Sequence, residues 1–525
     1  MDNSLRESTI AIDLGTTNCV CSYVDENGEI NIIPNKEGGL STPTFIHVKP
    51  EGTKIKTEVG EKAKEHLSDD PSNVLYSFKT FMGTKEVIKR TVVAGSLTAL
   101  HCSYLMLRYL KESAEEYLER NISSAVITVP AYFDESQKSA TKTAAKMAGL
   151  EVSHIVNEPT AATFYYGLES DSGEPKTILA YDLGGGTFDV SIIQVIDENC
   201  VVIGTAGDNK LGGDDIDKII LQYILNECKI RINKPDKEYE EKLLRIAERA
   251  KRELCDEINL KDKSDETVQI FVPTKETHDN EPDDVEYITI QLDRETFENM
   301  INPIVQRTML SVQQALDNSF IDVEELDEVI LIGGSTRVPY IRQGLSDFLK
   351  DERFDKEYFD DYQLDPDLAV GLGSGMFLKH ILENRLENLT DIVTKSIGVA
   401  DSDGQLIPIL PVGRTLPASR SKVLYNSYDY QEDFNLILYE GESLVANRNV
   451  NIGKIVIPIM PSPKGTSQVM IKCMMGTDGT LKIQAMAGSI MKDIVIERNY
   501  DEDIEMDLDE GSIKKKSKIE EFGKK

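Results

Sequence analysis

Two short glycine-rich turns carry the residues of this chain that are best suited to bind phosphate. The first turn spans Ile12–Thr17 (Ile-Asp-Leu-Gly-Thr-Thr), and the second spans Tyr181–Thr187 (Tyr-Asp-Leu-Gly-Gly-Gly-Thr). Glycine lets backbone N–H groups approach an anion without a Cβ clash, and the threonine hydroxyls add donors. Because an aspartate that ends a strand can hold a hydrated Mg²⁺, two such turns facing each other would clamp the β- and γ-phosphates of a nucleotide.

Two further segments could bind the rest of a nucleotide. Ile332–Pro339 places two glycines between a buried strand and a helix, which suits a purine or ribose lying close to the backbone. The spacing also predicts a helix over Lys237–Cys255. Its apolar stripe is formed by Leu243, Ala247, Ala250 and Leu254. Its polar face carries Glu248, Lys251, Arg252 and Cys255. Periodicity alone favours a solvent-exposed role for that polar face.

The elements that must position these residues fall into two classes. Strand-like and helix-like segments alternate from Ile10 to about Leu386, which predicts an α/β fold with mixed sheets. From Ile397 onward, short β-rich runs separated by Pro and Gly predict an all-β domain of about a hundred residues. The charged end of the chain predicts a disordered tail. The expected bounds are 1–386 for the α/β domain, 387–396 for a linker, 397–497 for the β domain and 498–525 for the tail.

Composition narrows the possible partners and the compartment. The chain has 525 residues, enough for several cores, and its net charge of −33 opposes broad binding to nucleic acid or to anionic membranes. Its seven cysteines show no zinc-binding spacing, which indicates a reduced, cytoplasmic compartment. We find neither a signal-peptide pattern nor an apolar run of about 18 residues, so no membrane association is expected.

Beyond these patterns, the chain resembles the heat-shock protein 70 family of chaperones. Three segments look like the family's signatures: Ile12–Asn18, Tyr181–Ile192 and Val329–Pro339. Two more family segments match at Val129–Phe133 and Asn157–Ala162, and the resemblance runs from about residue 9 to residue 496. It implies a two-lobed, actin-like ATPase domain of α/β class, followed by a small all-β sandwich that binds peptides. It also implies slow hydrolysis of ATP to ADP with Mg²⁺.

The same resemblance implies roles for individual residues. Mg²⁺ would be held through water by Asp13 and Asp182. The phosphates would be bound by Gly15, Thr16, Thr17, Asn18, Gly184, Gly185, Gly186 and Thr187. Catalysis would involve Lys79, Glu158, Asp182, Thr187 and Asp189. Lys79 would stabilise the charge that builds on the γ-phosphate. The adenosine pocket would be formed by Glu248, Lys251, Arg252, Cys255, Gly334, Ser335, Arg337 and Asp367.

Several residues depart from the family pattern. These departures affect communication between the nucleotide cleft and its partners more than nucleotide binding and hydrolysis. Cys255 stands where the family usually has a serine against adenine. Lys138 replaces the arginine that couples the cleft to the outside together with Pro130, and lysine cannot form the same bidentate fork. His154 replaces an arginine that docks J-domain co-chaperones. The linker keeps Asp391 but has lost most of the leucines before it. We therefore expect intact nucleotide chemistry with weakened coupling and weakened J-domain binding.

The β domain departs from the family at its expected peptide pocket. The pocket would be formed by Val399, Asp401, Ser402, Phe434 and Leu436. Asp401 and Ser402 stand where the family has a threonine and a methionine that arches over the peptide. Phe434 stands where a valine usually forms the pocket floor. No α-helical lid is expected after the sandwich.

Three functions are compatible with these patterns. The first is an ATP-dependent chaperone that binds unfolded or specific clients and works with a J-domain co-chaperone and a nucleotide-exchange factor. The second is a regulatory or dedicated-client member of the family. Within the family, the iron–sulphur-assembly branch is the one that the segments Leu211–Asp215 and Arg307–Leu310 resemble more. The third is another actin-fold protein, either a sugar kinase or a filament protein.

Overall fold

The computed structural model describes most of the chain. The described residues are 3–51, 54–67, 69–91, 95–167, 175–196, 199–229, 237–255, 267–273, 287–355, 358–359, 365–385, 389–390, 392–401, 403–476, 480–495, 504–507 and 512–515. Two α/β lobes come first and a β domain follows, as the sequence predicts.

The first lobe is built on a mixed sheet in the order β11-β10-β1-β2-β3. Its strands are β1 (Thr9–Leu14), β2 (Asn18–Val24), β3 (Ile30–Ile33), β4 (Thr42–Pro43), β5 (Ile46–Glu51), β6 (Lys54–Val59), β7 (Val74–Leu75), β8 (Val87–Thr91), β9 (Gly95–Thr98), β10 (Ser124–Val129) and β11 (Glu151–Asn157). Its helices are α1 (Asn3–Ser8), α2 (Glu61–Glu65), α3 (Ala99–Leu118), α4 (Glu135–Met147) and α5 (Glu158–Gly167).

The second lobe is built on a five-stranded sheet in the order β17-β12-β13-β14-β18. Its strands are β12 (Lys176–Leu183), β13 (Phe188–Ile196), β14 (Asn199–Asp208), the separate pair β15 (Thr267–Pro273) and β16 (Tyr287–Asp293), β17 (Glu328–Ile332) and β18 (Leu389–Thr390). Its helices are α6 (Gly213–Glu227), α7 (Lys237–Cys255), α8 (Arg294–Ser319), α9 (Pro339–Leu349) and α10 (Ala369–Leu382).

The two lobes repeat one strand arrangement, and this repeat positions the glycine turns. In the first lobe β1 pairs antiparallel with β2 and parallel with β10. In the second lobe β12 pairs antiparallel with β13 and parallel with β17. Each glycine turn therefore joins the same two strands of its sheet. A shared core of small and branched residues, including Ala11 and Ala180, packs α5 and α10 between the sheets.

The β domain is a sandwich of two four-stranded sheets, ordered β20-β19-β22-β23 and β21-β24-β25-β26. Its strands are β19 (Ile397–Ala400), β20 (Leu406–Leu410), β21 (Ala418–Tyr425), β22 (Asp433–Glu440), β23 (Val450–Pro458), β24 (Gln468–Met475), β25 (Leu481–Ala487) and β26 (Ile490–Val495). Alternate side chains of both sheets fill one core, since the strands bury every second residue.

The linker and the tail carry more structure than the sequence predicts. β18, which lies within the expected linker, pairs parallel with β14 through Cys200 and Leu389. Ile392 is buried in the shared core of the α/β lobes, and Val393 is buried in the β-domain core. The sequence predicts a disordered tail, whereas the structure describes a hairpin of β27 (Ile504–Asp507) and β28 (Ser512–Lys515).

Other expectations are confirmed with small shifts. The helix over Lys237–Cys255 has the predicted bounds, and its apolar stripe is buried. The glycine segment after β17 forms a 3₁₀ turn, Gly334–Arg337, before the helix begins at Pro339. The expected hairpin turn at Asp478-Gly479 lies outside the described residues. All seven cysteines are free thiols. In the described part of the chain, no helix is long and apolar enough to cross a membrane.

Candidate nucleotide cleft and its link to the β domain

Two aspartates lie near the ends of equivalent strands of the two lobes. Asp13 is the next-to-last residue of β1 and lies opposite Val20, and Asp182 is the next-to-last residue of β12 and lies opposite Asp189. Asp13 and Asp182 are 8% and 6% exposed. The Thr128 hydroxyl donates to Asp13 Oδ1 at 2.8 Å, so the carboxylate is held from the neighbouring strand β10. The chain repeat thus brings two buried carboxylates to corresponding positions of the cleft.

The two glycine turns face each other, as the sequence predicts. A methyl group on Gly185 would lie 2.3 Å from the Thr17 hydroxyl of the opposite turn. A methyl group on Gly186 would lie 3.3 Å from the Thr16 side chain. Only glycine fits such close approaches, and the second turn is closed by the Gly184 N–H, which donates to the Thr187 carbonyl at 3.0 Å. Residues of both turns therefore line one narrow space.

Lys79 lies at the bottom of this space, in the 3₁₀ turn Phe78–Phe81. Its side chain is 3% exposed, and its Nζ donates to Glu158 Oε1 at 2.5 Å. Burial lowers the pKa of Lys79, but the carboxylates of Glu158 and Asp13 outweigh that effect and raise it overall. Lys79 is therefore a permanent positive charge in a buried setting.

The remaining carboxylates surround Lys79. Burial, followed by repulsion from Glu158, raises the pKa of Asp13 and of Asp189 to about 7 each. The pKa of Asp182 is also raised, first by burial and then by Glu158. Asp189 accepts a hydrogen bond from the Tyr132 backbone N–H at 2.8 Å. A site with more buried carboxylates than cations suits an added cation, and hard oxygen donors suit Mg²⁺.

The predicted adenosine residues converge beside the second turn. The Lys251 ammonium donates to the Gly213 carbonyl at 3.2 Å and pairs with Asp217 at 2.8 Å. The Ser335 hydroxyl donates to the Gly184 carbonyl at 2.9 Å. Gly333 adopts φ +82°, and a methyl group there would strike the Leu183 carbonyl at 2.4 Å. Helix α7 and the turn after β17 therefore meet at the phosphate-facing loop.

The outer adenosine residues are arranged as ion pairs. Arg337 Nη2 donates to both Asp365 and Asp367 at 2.9 Å. Glu248 pairs with Arg252 at 2.7 Å, and a methyl group on Gly334 would lie 3.3 Å from Asp367. Cys255 is half-buried at the end of α7, and burial raises the pKa of its thiol to about 11. All eight predicted adenosine residues thus lie on α7, on the Gly334–Arg337 turn or just before α10.

An aromatic and ionic contact joins the first lobe to α7 of the second lobe; we call it the clasp. It consists of Phe45 and Tyr76 in the first lobe and Glu241 and Arg245 on α7. The Tyr76 hydroxyl donates to Glu241. The Arg245 guanidinium lies over the Tyr76 ring at 4.2 Å and over the Phe45 ring at 5.2 Å. The clasp holds α7 against the first lobe.

The β domain contacts the α/β domain through a polar cluster that sequence reasoning missed. Lys395 Nζ donates to the Tyr132 carbonyl at 2.7 Å and lies 4.2 Å from the centre of the Tyr132 ring. Glu440 Oε2 accepts from the Glu135 backbone N–H at 3.0 Å. Because the Tyr132 N–H also bonds Asp189, one residue connects the cleft to the β domain.

The remaining predicted residues have mixed outcomes. Pro130 is buried, and Lys138 lies 3.7 Å from the Glu135 carboxylate beside the polar cluster. His154, on β11, packs its ring against Phe377 of α10 at 5.6 Å. The coupling residue Asp391 lies outside the described residues.

In the expected peptide pocket, Val399, Phe434 and Leu436 all belong to the buried sandwich core. Phe434 is 5% exposed and pairs with Ile457 across β22 and β23. Asp401 accepts bonds from the backbone of Asp403 and Gln405 within its own loop. Ser402 lies outside the described residues.

Comparison with known proteins decides the family. The family model described as Hsp70 protein matches residues 9–524. This chain belongs to the Hsp70 family. The protein named Chaperone protein DnaK from Thermosipho melanesiensis is 34% identical over 492 residues, which cover 92% of this chain and 78% of the relative. Its namesake from Thermotoga neapolitana is 33% identical over 492 residues, covering 91% and 78% respectively.

Membership of the Hsp70 family fixes the activity at the level of the whole protein. The chain is an ATP-dependent molecular chaperone that hydrolyses ATP and uses Mg²⁺. Chaperones of this type act on unfolded client proteins with the help of co-chaperones. The match does not favour the sugar-kinase, filament or iron–sulphur alternatives.

Proposed function

We propose that the described cleft is the ATPase site of this Hsp70 protein and that its residues take the roles inferred from sequence. Lys79 stabilises charge on the transferred phosphoryl group, while Glu158, Thr187 and Asp189 orient the attacking water. The facing glycine turns bind the phosphates. The adenosine residues, with Cys255 against the base, hold the nucleoside. The burial of Lys79 against Glu158 and the close approach of Gly185 to Thr17 support this assignment.

Asp13 and Asp182 fit a bound Mg²⁺. Their oxygens are hard donors, and Thr128 orients Asp13. Burial first and repulsion from Glu158 second raise the pKa of Asp13 and of Asp182, so a bound cation would favour their charged forms. When bound, Mg²⁺ neutralises charge on the β- and γ-phosphates. The chain's own residues hold it in place and exclude bulk water.

We also propose that nucleotide state controls the docking of the β domain. The observation that carries this proposal is the double contact of Tyr132, whose N–H bonds Asp189 in the cleft and whose carbonyl accepts from Lys395. A change at Asp189 would therefore move the surface that holds Lys395. Pro130 and Lys138 flank this connection and would modulate it, and Asp391 would belong to the linker that joins the domains.

We keep the proposed bounds of 1–386 for the ATPase domain, 387–396 for the linker, 397–497 for the β domain and 498–525 for the tail. We propose no lid function for residues 498–525. In the described part of the chain, no α-helix follows Leu382. Clients would bind weakly at the surface near Phe434, and J-domain binding would be weakened by the packing of His154 on Phe377. The free, mostly buried thiols support a cytoplasmic location.

A test combines turnover with domain docking. We would measure ATP hydrolysis by the full chain with and without a panel of unfolded peptides, and its radius of gyration by small-angle X-ray scattering in ATP and in ADP. We expect Mg²⁺-dependent turnover and a more compact molecule in ATP. Lys395→Met should abolish that difference, while Lys422→Met, which changes an exposed lysine of β21, should not. Absence of turnover would contradict the site, and an unaltered response of Lys395→Met would contradict the coupling.

A second candidate function is a regulatory or dedicated-client role without cycling on peptides. The observation that favours it is Phe434, whose buried ring occupies the core where the family places a smaller side chain. Peptide binding by the full chain separates the two candidates.

A further inference from the structure

We propose that the first lobe carries a transition-metal site of the zinc type, formed by His47, Glu58 and His66 and separate from the nucleotide cleft. The fold itself brings the three residues together. The register of β5 and β6 places His47 directly opposite Glu58. Helix α2 follows β6 after Gly60, and His66 is the residue directly after the helix, with its side chain beside that of Glu58.

Distances among the three side chains match those of metal ligands. Glu58 Oε2 lies 2.9 Å from His66 Nε2 and 3.6 Å from His47 Nδ1. One donor atom from each residue lies within 4.8 Å of the others. Ligands that bind zinc tetrahedrally at roughly 2.0–2.1 Å lie about 3.3 Å apart. A metal ion would therefore need only small side-chain adjustments.

Each histidine is also held from behind by an aspartate. His47 Nε2 lies 3.0 Å from Asp70, and His66 Nδ1 lies 3.1 Å from Asp69. Asp70 is itself fixed, because it accepts from Asn73 Nδ2 at 2.8 Å and its N–H donates to the His66 carbonyl at 2.9 Å. Carboxylates behind metal-binding histidines set the tautomer so that the free lone pair faces the ion. Here both lone pairs would face Glu58.

The centre of this arrangement can be bridged by a proton on His66 Nε2, which lies at hydrogen-bonding distance (2.9 Å) from Glu58 Oε2, or by a metal cation. The two imidazole rings stack with centroids 4.0 Å apart. If both outer N–H groups bond the aspartates, two lone pairs point at a carboxylate oxygen, which is repulsive. Protonating both rings instead places two positive charges side by side. Lys56 lies 3.7 Å from the other oxygen of Glu58, so it does not occupy the position between the rings and Oε2. A single proton on His66 avoids both conflicts, and so does one divalent ion bound by both lone pairs and Glu58 Oε2; the metal titration below distinguishes the two.

The donor set selects the class of metal. Two imidazoles and one carboxylate suit Zn²⁺ or Co²⁺, whereas Mg²⁺ prefers oxygen ligands throughout. The His47 side chain is 3% exposed, while those of Glu58 and His66 are about 30% exposed. The ion would therefore have a fixed inner ligand and an open path from solvent. Three protein ligands leave the fourth position for water.

The test is a cobalt titration of the full chain, freed of metal by a chelator and kept in excess Mg²⁺ at pH 7.5. We expect one Co²⁺ per chain, with the visible absorption of a tetrahedral nitrogen–oxygen site and without a thiolate band. Zn²⁺ should displace it, and affinity should fall as the pH drops because the ligands must be deprotonated. No saturable binding, or a thiolate band, would overturn the proposal and leave a cluster bridged by protons.

Variants locate the bound ion. Glu58→Gln and His66→Gln should each weaken Co²⁺ binding at least tenfold, and Asp70→Asn should weaken it about 10–100-fold through the orientation of His47. Glu51→Gln removes an exposed acid at the far end of β5, four residues beyond His47, and should bind like the parent. Nucleotide binding by each variant checks that the chain remains folded. Parental affinity in Glu58→Gln would place the ion elsewhere and sink the assignment.

Discussion

At the scale of single residues, Lys79 concentrates the chemistry of the cleft. Lys79→Ala should leave nucleotide bound, since the turns and α7 remain, but lower ATP turnover by about 10²–10³-fold. The reason is that positioning and electrostatics supply most of the catalysis of phosphoryl transfer. Turnover is measured by phosphate release under single-turnover conditions, and binding by equilibrium dialysis.

Losing the Lys79 charge also leaves Glu158 buried without its partner, which destabilises the fold. Lys79→Met keeps most of the side-chain volume and serves as the control for packing. If either variant hydrolysed ATP at the parental rate, the assignment of the catalytic lysine would be wrong.

Cys255 reports on the adenine side of the cleft. If α7 faces the base, bound ADP should slow labelling of this thiol by at least tenfold. The raised pKa of Cys255 makes the thiolate scarce at neutral pH, so labelling is best followed near pH 9. A Cys228→Ser background removes the other half-buried thiol. Equal rates with and without ADP would place this face of α7 in solvent.

The two glycine turns could be predicted from sequence because their positions depend on local structure, whereas roles for residues such as Lys79 and Glu158 came from the family resemblance. A glycine turn at the end of a strand needs its residues in fixed order, so Asp13 and Asp182 were found together with their turns. Thr128 and Asp217 carry no such signal. They act through β10 and α6, and only tertiary packing brings them to Asp13 and Lys251.

At the scale of secondary-structure elements, β22 meets the start of α4 through Glu440. Burial, followed by repulsion from Glu135, raises the pKa of Glu440 from 4.5 to about 8 in the docked form. The docked form therefore binds more protons than an undocked one, and docking should weaken as the pH rises from about 5 to 8. Glu440→Gln should dock more tightly at pH 8, by tenfold or more, and lose this pH dependence.

Small-angle scattering of the full chain in ATP, between pH 6 and pH 8.5, measures that change as an increase in radius of gyration. The charged groups nearest Glu440 are Glu135, Asp134 and Lys395, and burial lowers the pKa of Lys395. Glu432→Gln, an exposed acid of the same domain, should behave like the parent. A pH response that persists in Glu440→Gln would assign it to another group.

Element boundaries were predictable, but their long-range partners were not. The apolar stripe of α7 fixed that helix to the residue, since a 3.6-residue period needs no knowledge of neighbours. The bond from Lys395 to Tyr132 joins residues 263 positions apart and depends on how a whole domain docks. The same holds for β18, because two residues of a linker show no strand pattern of their own.

At the scale of the whole molecule, the β domain decides whether the chaperone cycles on peptides. Phe434 should restrict the pocket, since extra bulk in a packed site costs about 1–3 kcal/mol. We expect weak, rapidly reversible binding of short apolar peptides, and one to two decades tighter binding by Phe434→Val. Fluorescence anisotropy with a labelled Leu-rich peptide measures both proteins.

Leu438→Val is the matched control, because it trims a buried side chain of the same strand and should not gain affinity. Thermal unfolding shows whether the smaller side chain at either position destabilises the sandwich. Tight binding of the Leu-rich peptide by the parent protein would contradict the restricted pocket. No gain in Phe434→Val would favour the dedicated-partner role.

The clasp between the first lobe and α7 should control how long ADP stays bound. In the proposed site the nucleoside contacts α7, the helix that the clasp holds against the first lobe, so we expect ADP release to require Arg245 to separate from the two aromatic rings and Glu241 to release the Tyr76 hydroxyl. The lifetime of this contact then sets how long each hydrolysed nucleotide stays, and with it the pace of every round of client release. Arg245→Ala should raise the dissociation rate of a fluorescent ADP analogue several-fold, as measured by stopped-flow displacement. Arg249→Ala, on the exposed face of the same helix, should leave that rate at the parental value.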